Sequence, residues 1–505
     1  MALDLLLIHP GAAHGIYGSE LANSLVAIEP PLWCRLIAGY VRDRGHSVKI
    51  IDAEALRWEP DKVALETALM RPRLVAIAVF GHQPSASTQQ MDGAGQTARR
   101  IKARWPEAKI MMLGGHVSAL PERTMREEKI DFACVGEGPV TIVELLRWSE
   151  ALNESSIVVL DCIRGLVWRR FGKIIINPRA ALLDVDELHG DTWDLLPMEK
   201  YQSHNWQVFG SLDKRKPYAS IYTSLGCSFK CAFCCINAPF DTNRYRMRDP
   251  AHVLSEVKHL IDVYGVRTFK IIDEMFVLNE RHYTAIANGL AELNKNDDLN
   301  FWAYSRVDTV KPHTLKLLRK AGIKWLALGI ESGSKYVRDG SNKRLKNDDI
   351  TQVVRDIQAA DINVIGNYIF GLPDDDLDSM RETLDLALRL NTEFANFYSA
   401  QAYPGSPLYQ EAISKGWNLP ESWRGYSQHN SDCRPLDTMH IPGAVVLKFR
   451  DEAFLTYYKN PAYQDMVLKK FGQETLDHVK QMTKYQLKRK LVDSYFAPKE
   501  KASAQ

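Results

Sequence analysis

Three observations predict an α/β protein with two sheet-forming units and a helical end. Short apolar runs alternate with helical stretches through the first ~150 residues. A second series of such runs begins near Tyr218 and numbers six. Beyond about residue 410 the strand signals stop and helical patterning continues. At 505 residues the chain exceeds one ordinary domain. The expected layout is a doubly wound parallel sheet at 1–150, a connector at 151–214, a partial (β/α)6 barrel of TIM type at 215–410 and a helical region at 411–505.

In the first unit the strands are "DLLLIHP", "HSVKIIDA", "LVAIAVFG", "KIMMLGG" and "DFACVGEG", with helices such as "LWCRLIAGYVRDRG" and "QTARRIKARWPE" between them. Apolar strands joined by helical crossovers make a parallel sheet covered on both faces, a Rossmann-like arrangement. Ligands of such sheets sit beyond the carboxyl ends of the strands. There the chain places "HPG", "DAEA", "GHQPSAST", "GGH" and "GEGP", rich in glycine and hydroxyls. The connector holds a small hairpin turning at Gly172 and an acidic, irregular tether. The barrel strands are "YASIYTSLGC", "RTFKIIDEMF", "FWAYSRVDTV", "WLALGIESGS", "NVIGNYIFGLP" and "EFANFYSAQAYPG". Asp249 followed by Pro250 signals a helix start. In the tail, "ETLDHVKQMTKYQLKRKLV" reads as one amphipathic helix with Leu476, Val479, Leu487 and Leu491 on its apolar face.

Composition narrows the function. A 45% hydrophobic and 25% charged chain is an ordinary globular protein. A net charge of +2 gives no general pull toward nucleic acid or membrane. "MALDLLLIHP" carries Asp4 and lacks a basic start and a cleavage site, so it reads as a buried strand and not a signal peptide. No apolar run reaches the roughly 20 residues of a membrane span. The expectation is a cytoplasmic protein with neither a nucleic-acid nor a membrane partner.

Four of the eight cysteines fall within "LGCSFKCAFCC". Such clustering is not a secreted disulfide framework and favours metal or redox chemistry. Cys227, Cys231 and Cys234 have the spacing C-x3-C-x2-C. A structural zinc site wants four tetrahedral ligands, usually as two separated pairs, and Cys235 is too close to Cys234 to complete one. Three thiolates on a short loop suit a 4Fe-4S cluster with one iron left open. The loop follows the first barrel strand, at the end where barrels gather their chemistry. Asp273, Glu274, Ser305, Arg306, the Glu331–Ser334 stretch and Gly371 end four other strands on that rim.

With these residues in place, about 215–410 resembles the radical S-adenosylmethionine (SAM) enzymes. The resemblance implies a 4Fe-4S cluster on Cys227, Cys231 and Cys234, and S-adenosyl-L-methionine held on the open iron. Phe233 is then expected near the adenine. "IDEMF" stands where the family usually has a "GGE"-like element, so Asp273 and Glu274 are inferred replacements. "SRVD", "GIESGS" and "FGLPDD" imply Ser305, Arg306, Glu331, Ser332 and Gly371 as further SAM contacts, Arg306 by a carboxylate salt bridge or else as a structural rim pair.

The order of the whole chain is similar to the cobalamin-dependent branch of that family, on "PPLWCRLIAGYVRDRGHSVKIIDA", "LGGHVSALPE" and "VGEGP". This implies cobalamin at the strand ends of the first unit, contacted by His82, Ser85, Ser87, Gly114, Gly115, His116, Gly136, Glu137 and Gly138. The "DxHxxG" signature that gives cobalt a histidine reads "DAEALRW" here, with Glu54 in the histidine's place, so that ligation is expected to be absent. His9, His14, His82 and His116 are each either an axial ligand or a hydrogen-bonding side chain.

The implied activity is methyl transfer from methylcobalamin to an unactivated carbon or phosphorus of a small molecule, after hydrogen abstraction by a 5′-deoxyadenosyl radical. A cyclase or ring-rearranging enzyme of the same layout is the alternative, and a non-catalytic cobalamin sensor a more distant one. An external one-electron donor of flavodoxin or ferredoxin type is implied. Cys235 and Cys433 have no assigned role, and "YSQHNSDCRPLDTMHIPG", with Tyr426 and His429, is expected to close one side of the pocket near Tyr403.

Overall fold

The computed structural model describes residues 3–11, 26–81, 86–150, 157–343, 345 and 347–497. Its first sheet contains β1 (Leu5–His9), β2 (Val48–Asp52), β3 (Leu74–Val79), β4 (Ile110–Gly114) and β5 (Phe132–Cys134), all parallel. Every residue of β1, β3 and β4 is buried. Successive side chains point to opposite faces. Leu5, Leu7, Ala76 and Leu113 enter a core shared with Leu36 and Leu146 of the helices Leu32–Arg42 and Pro139–Glu150. Leu6, Ile8, Ile77 and Met112 enter the opposite core with Met91 and Ala98 of helix Ala86–Arg104. Cover on both faces explains why these strands read as unbroken apolar runs.

The strand order is β2-β1-β3-β4-β5. The direction of winding reverses between β1 and β3, which opens a crevice at their carboxyl ends. β6 (Leu166–Arg170) and β7 (Lys173–Ile176) form the expected hairpin. Its turn residues Phe171 and Gly172 both have positive φ, as a tight two-residue hairpin turn requires. The hairpin is not part of a free-standing connector. β6 pairs antiparallel with β5 and extends the first sheet to seven strands.

All six expected barrel strands form. β8 (Tyr218–Ile221), β9 (Thr268–Ile271), β10 (Asn300–Arg306), β11 (Ile323–Glu331), β12 (Asn363–Phe370) and β13 (Phe394–Ser399) make one parallel sheet in sequential order. β13 and β8 are its two edges, so the barrel is partial. Trp206 plugs the amino-terminal end, its ring 5.1 Å from Trp302, 5.4 Å from Trp325 and 5.6 Å from Phe394.

The tail differs from the sequence reading. The single helix expected there is two, Gln473–Met482 and Lys490–Phe496. Leu476 and Val479 are buried as expected. Between the helices, Arg489 turns inward to a bidentate pair with Asp451 at 2.7 and 2.9 Å and donates to Asn430 O at 3.1 Å. These tertiary bonds override the local helical pattern. Among the described residues no helix is long and apolar enough to cross a membrane.

One buried arginine joins the two units. Arg35 is fully buried, and its Nη1 donates to Gly190 O and Glu256 Oε1, each at 2.9 Å. Its Nη2 donates to Ser220 O on β8 at 3.0 Å, and its guanidinium lies 3.6 Å from the Trp193 ring centre. Glu256, on helix Pro250–Tyr264, also accepts from Arg248 and from Trp193 Nε1. Burial alone would raise the Glu256 carboxyl, but Arg248 and Arg35 outweigh it and hold the group below its ordinary value. Its contribution to stability is therefore present above about pH 4.5 and lost as pH falls through the depressed value.

Arg35→Met should lower stability by roughly 3–5 kcal/mol at pH 7, because it removes one partner of a buried pair. In urea titrations the gap between wild type and Glu256→Gln should narrow as pH drops below about 4.5, where the wild-type carboxyl also becomes neutral.

Candidate active site

The cysteine loop leaves the barrel after β8 through a braced base. Ser224–Leu225 pairs antiparallel with Arg246–Met247 on the far side of the loop. Gly226 has φ +82°, and a Cβ there would lie 2.3 Å from Arg244 O, so the two arms approach this closely only with glycine. Asn237 Nδ2 donates to Cys227 O at 3.1 Å and ties the end of the loop to its start. Asp273 was expected in the pocket, but its carboxylate accepts from Thr223 N and Ser224 Oγ, each at 2.6 Å, and from Thr223 Oγ1. These bonds use Asp273 to pin the loop's base.

Above the loop is a cavity of about 270 Å³. Cys227, Cys231 and Cys234 line it, together with Phe233, Glu274, Ser305, Arg306 and Glu331. Ser332 and Gly371 stand behind its wall. Ser332 Oγ meets Thr383 Oγ1 at 3.0 Å and accepts from Ser334 N, while Gly371 N donates to Asp375 at 2.9 Å. Both serve the turns that follow β11 and β12. Glu331 reaches the cavity because its backbone is left-handed, φ +67°, beside a register shift in β11. Its carboxylate is 2.8 Å from Lys343 Nζ.

Arg306 is already paired. Nε and Nη2 donate to Asp308 at 2.8 and 3.0 Å, and Nη2 also to Lys343 O at 2.9 Å. Nη1 faces Cys231 Sγ at 3.6 Å, and the guanidinium covers the Phe229 ring at 3.9 Å. The rim-pair role is therefore present in the structure, and one further N–H points at a cysteine sulfur. Enclosure pushes the Glu274 carboxyl up to about 8, with Lys270 opposing and Asp273 adding to the shift. Burial likewise pushes the Cys227 thiol up to about 11 and the Cys235 thiol up to about 12. Metal capture by Cys227 must then release a proton. Among the described residues no three His, Cys, Asp or Glu side chains converge on one metal-ion position. A cluster does not require that, because each thiolate meets a different iron.

A second, larger cavity of about 1060 Å³ adjoins the first. This is at the top of the roughly 300–1,000 Å³ range of small-molecule pockets. From the first unit it is lined by His9, Glu54, Gln89 and Gln90. His9 ends β1, and Gln89 and Gln90 lie on the helix after β3, so the cavity sits at the crevice where winding reverses. Gln90 Oε1 is buried there with no hydrogen-bond partner. His9 Nδ1 bonds Asp52 Oδ1 at 3.0 Å, and Asp52 Oδ2 accepts from Tyr201 OH at 2.9 Å. Size, position and an orphaned polar atom suit a large ligand such as a corrinoid.

The described residues expected to contact cobalamin lie at or beyond the ends of β3, β4 and β5. Ser87 Oγ donates to Val79 O and accepts from His116 N at 2.9 Å. Gly114 lets β4 pass β3, since a Cβ there would fall 2.0 Å from Val79 O. Gly115 packs on Ser87, and Gly136 N donates to Ser118 Oγ at 3.1 Å. Gly138 faces Leu113. Glu137 pairs with Arg246 at 2.6 Å and accepts from Leu183 N. His116 Nδ1 bonds Thr88 Oγ1 at 3.1 Å, its ring stands edge-on to Trp423, and burial pushes its pKa down to about 3. None of these seven is among the lining residues of the large cavity. His82 and Ser85 lie outside the described residues.

Tyr304, Asn367, Tyr398, Tyr403 and Gln428 line both cavities, so the two adjoin across a common wall. Sequence reasoning placed Tyr403 and the segment holding Gln428 there. Tyr304, Asn367 and Tyr398 occupy inward positions of β10, β12 and β13, a period-2 signal that was readable once the strands were aligned. Gln428 and His429 close one side, as expected of that segment. Tyr426 stays behind the wall, its carbonyl accepting from Tyr403 OH. Cys235 lines the smaller cavity, whereas Cys433 is buried against Gln401 at 3.3 Å.

Because the Glu274 carboxyl has a raised folded-state value, wild type should lose stability as pH rises from about 4.5 through about 8. Glu274→Gln lacks this penalty. Thermal unfolding of the metal-free proteins should show the variant gaining on wild type between pH 6 and 9.

Comparison with known proteins agrees with this architecture. Residues 19–146 match the B12 binding domain and residues 221–387 the Radical SAM superfamily. The chain is 29% identical to an uncharacterized methyltransferase of Pyrococcus horikoshii, over 86% of this chain and 88% of that one. It is 26% identical to the anaerobic magnesium-protoporphyrin IX monomethyl ester cyclase of Cereibacter sphaeroides, over 81% of this chain, and spans 63% of the cyclase's length. Its fold is similar to that of the radical SAM methyltransferase TsrM from Kitasatospora setae, solved with cobalamin and a [4Fe-4S] cluster, at TM-score 0.68 and 17% identity over 92% of this chain and 90% of that one. A B12-binding domain followed by a radical SAM barrel places this chain among the cobalamin-dependent radical SAM enzymes.

Proposed function

We propose that this enzyme methylates a small molecule at an unactivated position. The observation that carries the reading is that the two cavities adjoin. The void beside the three cysteines and the void at the β1–β3 crevice share five wall residues. Cys227, Cys231 and Cys234 would hold the cluster, and Phe233, Glu274, Ser305, Arg306 and Glu331 would surround SAM. His9, Gln89 and Gln90 would face the corrinoid. When bound, these groups supply a 5′-deoxyadenosyl radical and a transferable methyl group.

The chain's own task is positioning and exclusion. Arg306 holds a guanidinium donor against Cys231 and stabilises negative charge there. Burial favours the uncharged form of Glu274 in the ligand-free protein, so it would give up its proton on pairing with a cationic group such as the SAM ammonium. Tyr398 and Tyr403 line both voids. A second reading, radical ring closure without methyl transfer, is favoured by the similarity to the cyclase. A purely sensory role is set aside by the radical SAM match.

Anaerobically purified protein should contain about four irons and one cobalamin per chain. A Cys227→Ala, Cys231→Ala, Cys234→Ala variant should lose the iron and keep the cobalamin. A parent protein with a full cluster that takes up no cobalamin on reconstitution rules out the methyl-transfer reading. Mass spectrometry of turnover mixtures with methyl-labelled SAM separates the two chemistries, since only methyl transfer labels the product.

A further inference from the structure

A guanidinium from the barrel wall is aimed at one of the three cysteine sulfurs. Arg306 ends β10, and its Nη1 donates to Cys231 Sγ at 3.6 Å, across 75 residues of chain. Both sides of the contact are placed without help from the thiol. Nε and Nη2 of Arg306 are taken by Asp308, Nη2 also by Lys343 O, and the group lies 3.9 Å from the centre of the Phe229 ring. A guanidinium is a rigid fork, so these partners fix where the remaining Nη1 points. On the loop, Cys234 N donates to Cys231 O and Ala232 N to Ser341 O, each at 3.1 Å.

The other two sulfurs have different surroundings. Cys227 and Cys234 are met by neutral donors, the backbone N–H groups of Phe229 and Ile236. Lys343 also lies near Cys227, but Glu331 neutralises it at 2.8 Å, and the two side chains are only 7% and 10% exposed. The countercharge of Arg306 is placed otherwise. The Asp308 side chain is 42% exposed and screened by water, whereas that of Arg306 is 5% exposed and lines the cavity. The positive charge therefore acts on Cys231 more strongly than the carboxylate opposes it.

A hydrogen bond to a ligand sulfur and a nearby positive charge both favour the reduced state of an iron–sulfur cluster, which carries one more negative charge. We propose that Arg306 raises the reduction potential of the bound cluster by stabilising the charge gained at the Cys231 corner. The step is a one-electron transfer: an external reductant loses the electron, the cluster gains it, and no bond or proton moves. This deepens the reading of Cys227, Cys231 and Cys234 as cluster ligands and rests on it.

The test is a redox titration of the anaerobic, cluster-loaded, SAM-free enzyme with titanium(III) citrate, the reduced cluster being counted by EPR. At equal solution potential, the ratio of reduced to oxidised cluster in Arg306→Gln should be about tenfold below that of wild type, a fall of about 59 mV for one electron. Asp308→Asn removes the opposing carboxylate and should move the potential up. This second variant decides the matter if Arg306→Gln takes up no iron. The proposal is overturned if Arg306→Gln with about four irons per chain lowers the ratio less than about threefold or raises it, or if Asp308→Asn leaves the potential unchanged or lowers it. A wild type that binds no iron would instead remove the cluster reading itself, so the two failures are distinguishable.

Discussion

The adjoining cavities depend on how the two sheets face each other, and a buried arginine fixes that relation. Arg35 leaves the first unit and ends among Glu256, Ser220 O and Gly190 O of the rest of the chain. A guanidinium taken out of water must find partners for its donors, and only one docking of the units supplies these three. The contact is directional where apolar packing is not. Arg246 and Glu137 add a second bridge near the cysteine loop. Together they set the carboxyl end of the first sheet against the mouth of the barrel.

That docking makes the site chemically coherent. A radical generated beside the cysteines would have to meet its substrate before water or a stray hydrogen donor. Two adjoining cavities with mostly apolar wall area, built from both sheets, suit that task. Several of their polar groups are already committed. Arg306 is held by Asp308, Glu331 by Lys343 and His9 by Asp52, so their positions are set before any ligand binds.

Much of this was legible in the chain. Period and length located all eleven strands of the two α/β series, and three thiols at C-x3-C-x2-C marked the cluster loop. Residues that end barrel strands, such as Glu274 and Arg306, were found because a barrel concentrates chemistry at that rim. Asp273, Ser332 and Gly371 were expected on the cavity wall and stand behind it. Neighbouring rim positions alternate between the cavity and the loop behind it, and only coordinates show which side each takes. The first unit was harder. Motif-like stretches drew attention to Ser87, Gly114 and Glu137, but not to His9 and Gln90, which line the large cavity. Its place depends on the strand order, which no local pattern encodes. The pairing of Glu29 with Lys270 spans 241 residues of chain and was invisible for the same reason.

The central claim is that the two adjoining cavities serve both cofactors. An anaerobic crystal structure of the enzyme loaded with cobalamin and SAM tests it most directly. The account predicts the corrin between the ends of β1 and β3, in contact with His9 and Gln90, and opening past Tyr398 and Tyr403 onto SAM. A corrin seated instead against Ser87, Gly114 and His116, or walled off from SAM by ordered side chains, would contradict it.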